Sequence, residues 1–306
     1  KTAIEKGCNV NKISIFTLIS YPEIIPLAIK YGLDLNRVDE YSNTLFHNGF
    51  RDYLLPIAIL NGLDVNHIGH DKKTIFHGRY NSNCIHLKLA ILYGFNVNLQ
   101  DKDGNTIFHD GNCSEYLELA IENGLDVNIK NNRGETIFHN NIHSKHLKLA
   151  IIKGFDINSI DFSGNTIFHN NNNSEYLDTA IINGFDVNLQ DFYGNTIFHY
   201  GFQSSNLKLA ISEGGFDLNS QKRYGETLFH GERHSDKLLY AILRGFNTNL
   251  KDVDGNTIFH NNRCISHLPI AILKGFDINT RNKNGDTIFH YGYQAIHLSL
   301  AISKGF

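Results

Sequence analysis

A tetrapeptide, Thr-Ile-Phe-His or Thr-Leu-Phe-His, recurs with its histidine at His47, His77, His109, His139, His169, His199, His230, His260 and His290. The spacings are 30, 32, 30, 30, 30, 31, 30 and 30 residues. A fixed period of this size excludes most folds, because each unit is one supersecondary element that buries its apolar face only by stacking on its neighbours. The unit from Gly164 to Tyr193 shows the whole pattern. An Ala-Ile pair starts eleven residues after each histidine, except that Ala90 comes thirteen after His77. A glycine, an apolar residue, Asp or Asn, an apolar residue and Asn then follow, as in Gly154 to Asn158. Three irregularities interrupt the array: two extra residues within 78–84, the doubled Gly214-Gly215, and a degenerate stretch at 12–18. In that stretch Ser14-Ile15-Phe16-Thr17 stands in place of the tetrapeptide, and the hairpin residues before it are missing.

The spacing dictates the local structure. Leu177, Ala180 and Ile181 lie at i, i+3 and i+4, one face of a helix. Ser174 precedes that helix and is expected to cap it, as are Ser114, Ser144, Ser204 and Ser235 in their repeats. Gly184 is expected to end it as the left-handed C′ residue. Asn188, whose column does not vary among complete repeats, is expected in a tight turn of left-handed geometry. An extended hairpin then leads to Gly194, and Thr196 begins the next short helix. The predicted fold class is all-α: a repeat solenoid of stacked helix-turn-helix units with β-hairpin loops.

The run D-x-x-G-x-T-x-x-H followed by L-x-x-A-I-x-x-G-x-D-V-N resembles the ankyrin repeat, and the likeness covers nearly the whole chain. It implies a single ankyrin-like array over 1–306, with a partial repeat at 1–11, a degenerate one at 12–36 and about nine regular ones over 37–306, the last truncated. The sequence departs from the family in three ways. Ile-Phe replaces the Pro-Leu that follows the threonine, Gly-Phe or Gly-Leu replaces Gly-Ala, and the first helix is clipped to barely more than one turn. The resemblance implies a non-enzymatic scaffold that binds a protein partner through its concave hairpin and short-helix face. The richness in Asn, Ile, Lys and Phe suggests an AT-rich genome of viral, intracellular bacterial or protist type.

Composition excludes several classes. The net charge of −3 lacks the basic stripe of a nucleic-acid binder. No apolar run approaches the roughly 20 residues of a membrane span, and no signal peptide is visible. Cys8, Cys84, Cys113 and Cys264 sit in distant repeats, and Cys113 and Cys264, which share a repeat position, are too far apart to bridge. All four are therefore expected to be free thiols in a reducing, cytoplasmic setting. The stretches at Lys1 and Phe306 both read as uncapped repeats, so the chain is expected to be an excerpt of a longer polypeptide.

No nucleophile, phosphate-loop or paired-carboxylate motif appears, and neither a catalytic residue nor a cofactor is expected. The recurring histidine stands three residues after a threonine. It can exchange a hydrogen bond with the hydroxyl and pin the adjacent hairpin through its other nitrogen. His67 with His70, and His143 with His146, have metal-like spacing but no converging Cys, Asp or Glu, so no metal is expected. His86, His146, His267 and His297 share a column with Tyr116 and Tyr176 that reads as a partly exposed rim. The variable columns carry the functional signal. Phe162, Phe192, Tyr193, Tyr200, Phe202 and Tyr224 form an aromatic cluster where other repeats hold polar residues, and they are the expected partner-binding residues. A second group, Phe50, Tyr80, Tyr291 and Tyr293, lies nearer the ends. Two alternatives stand beside the scaffold: a targeting arm of a larger effector or adaptor, and a unit that assembles head to tail.

Overall fold

The computed structural model describes residues 2–47, 52–77, 82–111, 113–140, 142–169, 173–200, 204–231, 235–261, 264–292, 295–303 and 305. They fall into two compact units, Lys1–Asp161 and Phe162–Phe306. Unit 1 holds α1 (Thr2–Glu5), α2 (Ile15–Ser20), α3 (Ile25–Lys30), α4 (Leu55–Leu60), α5 (Leu87–Leu92), α6 (Leu117–Glu122) and α7 (Leu147–Ile152). Unit 2 holds α8 (Leu177–Ile182), α9 (Ser204–Ser212), α10 (Leu238–Leu243), α11 (Leu268–Leu273) and α12 (Ala295–Ser303). Each unit is an all-α stack of the thirty-residue repeat.

Helix α6 shows the logic. Leu117, Ala120 and Ile121 are buried at the predicted spacing. Six residues are far short of the roughly 12–15 that an isolated helix needs in water, so packing holds the helix rather than propensity. Burying a leucine contributes about 1.5–3 kcal/mol. Gly124 ends the helix at φ 89°. Its N–H donates to the Ile121 carbonyl and the Leu125 N–H donates to the Ala120 carbonyl, the paired bonds of a Schellman stop.

Helix entry differs from expectation. Ser114 and Ser144 do not cap; each is the first residue of a 3-10 turn, Ser114–Tyr116 and Ser144–His146, that leads into the α-helix. The cap positions fall on Cys113 and His143, whose side chains make no capping bond. Ser174, Ser204 and Ser235 likewise open their helical segments from inside. The tight 3-10 start moves the helix boundary ahead of the serine. Ser14 does cap: its hydroxyl accepts from the Thr17 N–H at 3.1 Å.

The first helix is shorter than predicted. Most tetrapeptides form a hydrogen-bonded turn, and 3-10 turns form at Ile197–Tyr200 and Ile288–Tyr291. The phenylalanine of each tetrapeptide fills the space left by the clipped element. Phe76 meets Phe95 at 4.7 Å between ring centroids and Phe138 meets Phe155 at 4.8 Å in unit 1. Phe168 and Phe185, Phe229 and Phe246, and Phe259 and Phe276 repeat the pair in unit 2. Two departures from the ankyrin pattern thus compensate each other: Ile-Phe after the threonine packs on Gly-Phe before the aspartate.

The degenerate repeat breaks this pattern. Phe16 points to solvent while Ile15 and Leu18, three residues apart on α2, take the buried positions. Sequence alignment with the tetrapeptide therefore misplaces Phe16. The cysteine reading is also corrected. Cys84 and Cys113 are joined by a disulfide, with Cα atoms 5.1 Å apart, while Cys8 and Cys264 are not disulfide-bonded. Cys84 and Cys113 occupy slightly different repeat positions, 29 residues apart, and stacking of neighbouring repeats brings them together. Comparing cysteines only within one column overlooks this pair, and the argument for a reducing compartment loses its basis.

Candidate protein-interaction surface

Three columns hold the repeats together, and a fourth is left facing solvent. In the histidine column, His109 Nδ1 accepts from the Thr106 backbone N–H at 3.0 Å and lies 3.0 Å from the Thr106 hydroxyl. Its Nε2 donates to the Glu135 carbonyl of the next repeat at 3.1 Å. Thr287 and His290 form a full capping box, with histidine in the place usually taken by glutamate. Equivalent bonds run from His47 to Lys73 and from His77 to Asn105 in unit 1, and from His169 to Asn195, His230 to Asn256 and His260 to Asp286 in unit 2. An Nδ1 that accepts from a backbone N–H cannot carry a proton. Burial pushes His77, His109, His230 and His260 below the ordinary histidine pKa, although the carbonyl on Nε2 opposes that shift. These side chains are committed to the fold.

The asparagine column joins each helix end to the next. Asn66 Nδ2 donates to the Gly94 carbonyl at 2.8 Å while its Oδ1 accepts from the Asn96 N–H at 2.7 Å. Asn188 does the same to Gly215 and Asp217 in unit 2, at 3.1 and 2.7 Å. Asn188 is not among the residues with positive φ, so the left-handed turn expected for it is corrected. The column is constant because both ends of one planar amide are used between repeats, a task that an ionised Asp, which has no donor, cannot perform.

The hairpin tips form the third column. Within unit 2, the Phe192 N–H donates to the Ser163 carbonyl, the Arg223 N–H to Tyr193 and the Val253 N–H to Tyr224, each at 2.9 Å. Gly194 sits at φ 78°, and a Cβ there would meet the Arg223 amide nitrogen at 3.1 Å, so the tips approach as closely as glycine allows. Inside the hairpin that carries Phe192 and Tyr193 an Asx turn fixes the tip: Asp191 Oδ1 accepts from the Tyr193 and Asn195 amides at 2.8 Å.

The fourth column is the side chains that these tips carry. Phe162 is 80% exposed, Phe192 75%, Tyr193 58% and Tyr224 59%. The Phe192 and Tyr193 rings stand edge to face at 5.6 Å. The fold therefore brings four of the six predicted residues to successive tips of one unit. Tyr200 is different. It is half-buried, its hydroxyl donates to Asp191 Oδ2, and its ring packs 5.9 Å from His169. Burial, and then the Asp191 carboxylate, raise its pKa to about 12. Burial alone would raise Asp191, but the bonds from Tyr200 and Asn195 hold it below the usual carboxylate value. Tyr200 is a brace, as is Tyr291, which takes the same place beside Asp286 and His260. Phe202, and with it Phe50, Tyr80 and Tyr293, lies outside the described residues.

The metal-like histidine pairs are used elsewhere. His67 Nε2 lies 2.9 Å from the Ser42 carbonyl oxygen, and His143, fully buried, donates from Nε2 to the Phe108 carbonyl at 2.8 Å. Among the described residues no group of three or more His, Cys, Asp or Glu is arranged to hold a metal ion. Among the same residues no helix is long and apolar enough to cross a membrane. The column of His86, Tyr116, His146, Tyr176, His267 and His297 is half-buried, as expected of a rim. Sequence reasoning missed an aliphatic column on the outer helix face, which includes exposed Leu60 and Leu92 in unit 1 and exposed Leu243 and Leu273 in unit 2. The signal was present: the position after the Ala-Ile pair is aliphatic at Leu60, Leu92, Ile152, Ile182, Leu243 and Leu273 and polar in the other repeats.

A hairpin, a Thr-x-x-His turn and a second helix closed by a glycine in the regular repeats define an ankyrin-type repeat fold, on the geometry of the repeats themselves. No family model and no curated protein matches the sequence. Among solved structures, the chain is similar to the ankyrin repeat domain of Bcl-3, described as a unique member of the IkappaB protein family. The sequence identity is 18%, the match covers 65% of this chain and 99% of that one, and the TM-score is 0.48.

Proposed function

We propose that the array is a non-enzymatic scaffold that binds another protein through the hairpin tips of unit 2, with Phe162, Phe192, Tyr193 and Tyr224 as anchors. The observation that carries this reading is the exposure of four large aromatic side chains on tips fixed by main-chain bonds. Large apolar side chains exposed on neighbouring tips ask for a partner. Aromatics supply most of the energy at interface hot spots because they bury much area for little lost freedom. The backbone bonds between tips hold the anchors in place before binding, which lowers the ordering cost. The recurrent histidines, the group best suited to acid–base chemistry, are occupied in capping boxes, which supports a role without catalysis. Tyr200 supports the site from beneath by fixing Asp191 and hence the tip that carries Phe192 and Tyr193.

Differential capture tests the reading. The intact array and a variant with Phe192→Ala, Tyr193→Ala and Tyr224→Ala are each crosslinked to protein from the native host. A partner recovered with the intact array and lost with the variant supports the site; an identical set of partners sinks it.

A further inference from the structure

The repeat at 12–36 has no hairpin ahead of its first segment, and the consequence is a vacancy at the end of the tip ladder. Elsewhere in unit 1 the tips are tied backward, at His70 by donation of its N–H to Asn43 Oδ1 at 3.0 Å and at the next two tips by main-chain bonds. The Lys102 N–H donates to the Asp71 carbonyl at 2.8 Å, and the Asn132 N–H donates to the Asp103 carbonyl at 2.9 Å. Glu40 stands at the same place in its hairpin as Lys102 and Asn132. With no hairpin before it, the Glu40 N–H finds no such carbonyl among the described residues. Arg37 repairs part of the gap by donating to the Asn11 carbonyl at 3.0 Å and to the Ile13 carbonyl. Beyond Arg37 a groove of about 720 Å³ remains between α2 and the hairpin.

The groove has two chemically distinct walls. On one, Phe16, 77% exposed, stands with Ile15 and Ile19. On the other are Glu40, Asp71 and Tyr41, which is 58% exposed and edge to face with His70 at 6.0 Å. Asp39 joins Glu40 and Asp71 to place three carboxylates against one lysine, Lys73. Asp71 is matched by Lys102 at 3.1 Å, and Asp39 Oδ1 already accepts from the Tyr41 and Asn43 amides. The charge left to attract a ligand is chiefly that of Glu40, beside an aromatic face suited to a cation.

We propose that this groove binds a short extended segment of a partner protein, bearing an apolar residue next to a lysine or arginine. The segment occupies the place of the missing hairpin. Its main-chain carbonyl accepts the Glu40 N–H, its apolar side chain covers Phe16 and Ile19, and its cation meets the Glu40 carboxylate against Tyr41. This is the edge-strand mode of peptide recognition, on a surface of unit 1 distinct from the unit 2 tips, so it stands or falls separately from the scaffold reading above.

Fluorescence anisotropy with a labelled, end-blocked peptide of alternating valine and lysine tests it directly. The chain should bind this peptide and should ignore its valine–glutamate counterpart. Glu40→Lys and Phe16→Ala should each weaken binding about tenfold, the scale of one lost charge-assisted bond or one lost apolar anchor. Both positions are on the surface, and an unchanged melting temperature confirms that the variants fold. Glu122→Lys, an exposed charge reversal elsewhere in unit 1, should leave binding unchanged. Equal loss with Glu122→Lys, equal binding of the glutamate peptide, or no binding of the lysine peptide would each overturn the proposal.

Discussion

Asn128 donates from Nδ2 to the Gly154 carbonyl at 2.9 Å, and its Oδ1 accepts from the Asp156 N–H at 2.8 Å. One side chain thus satisfies the carbonyl of the helix-ending glycine and an amide two residues beyond it, both in the following repeat. Asn128→Ala removes both bonds at a solvent-exposed site and should cost about 1–2 kcal/mol. Asn128→Asp keeps the acceptor but sets a carboxylate against the Gly154 carbonyl, and should cost at least as much. Urea unfolding compares them; an Asp variant as stable as the parent would show that the donor contributes nothing.

The histidine column should make the fold acid-labile. Burial depresses His77, His109, His230 and His260 in the folded chain, so below about pH 6.5 the unfolded chain binds protons that the folded one does not. Their contribution is complete above that pH and is lost as pH falls through the lower folded values. The urea midpoint should be flat from pH 8 to 7 and drop steeply below about 6. His109→Gln should lower the midpoint at neutral pH and make the acid slope shallower. An unchanged slope would mean that the ring is not held neutral.

Glycine at the tips answers to two constraints. Gly194→Ala places a side chain at positive φ and against the Arg223 backbone, which should cost about 1–2 kcal/mol. Gly231→Ala, where no heavy atom lies within 4 Å of the new Cβ and φ is not positive, should be close to neutral. Equal losses would remove the argument that tip spacing demands glycine.

The cysteine pairing predicts a labelling order. In the folded, unreduced chain iodoacetamide should modify exposed Cys8 quickly and buried Cys264 only on unfolding. Cys84 and Cys113 should react only after reduction. Mass spectrometry finding four reactive thiols in the unfolded, unreduced chain would contradict the bridge.

Much of this was legible because some columns act within their own repeat. Leu177, Ala180 and Ile181 announce a helix by spacing, Gly184 its end, and the threonine three residues before each histidine its capping partner. What escaped acts between repeats. Asn188 reads as a turn residue because its partners, Gly215 and Asp217, are nearly a full period away. Cys84 and Cys113 meet only through stacking. Tyr200 and Tyr193 look alike in sequence, but only Tyr200 has Asp191 and His169 within reach. Phe16 matches its column by letter, yet its place in the core is taken by Leu18. The aromatic cluster was visible because it interrupts columns that are otherwise polar.

The central claim is that stability and binding reside in different columns, so one pair of curves tests it. With a partner captured by the intact array, the melting temperature and the binding isotherm are measured for the variant carrying Phe192→Ala, Tyr193→Ala and Tyr224→Ala. The account predicts a melting temperature within a few degrees of the parent and an affinity weakened at least about a hundredfold, on the scale of hot-spot truncations. An unchanged isotherm, or a loss of affinity that merely follows a collapsed melting temperature, would contradict it.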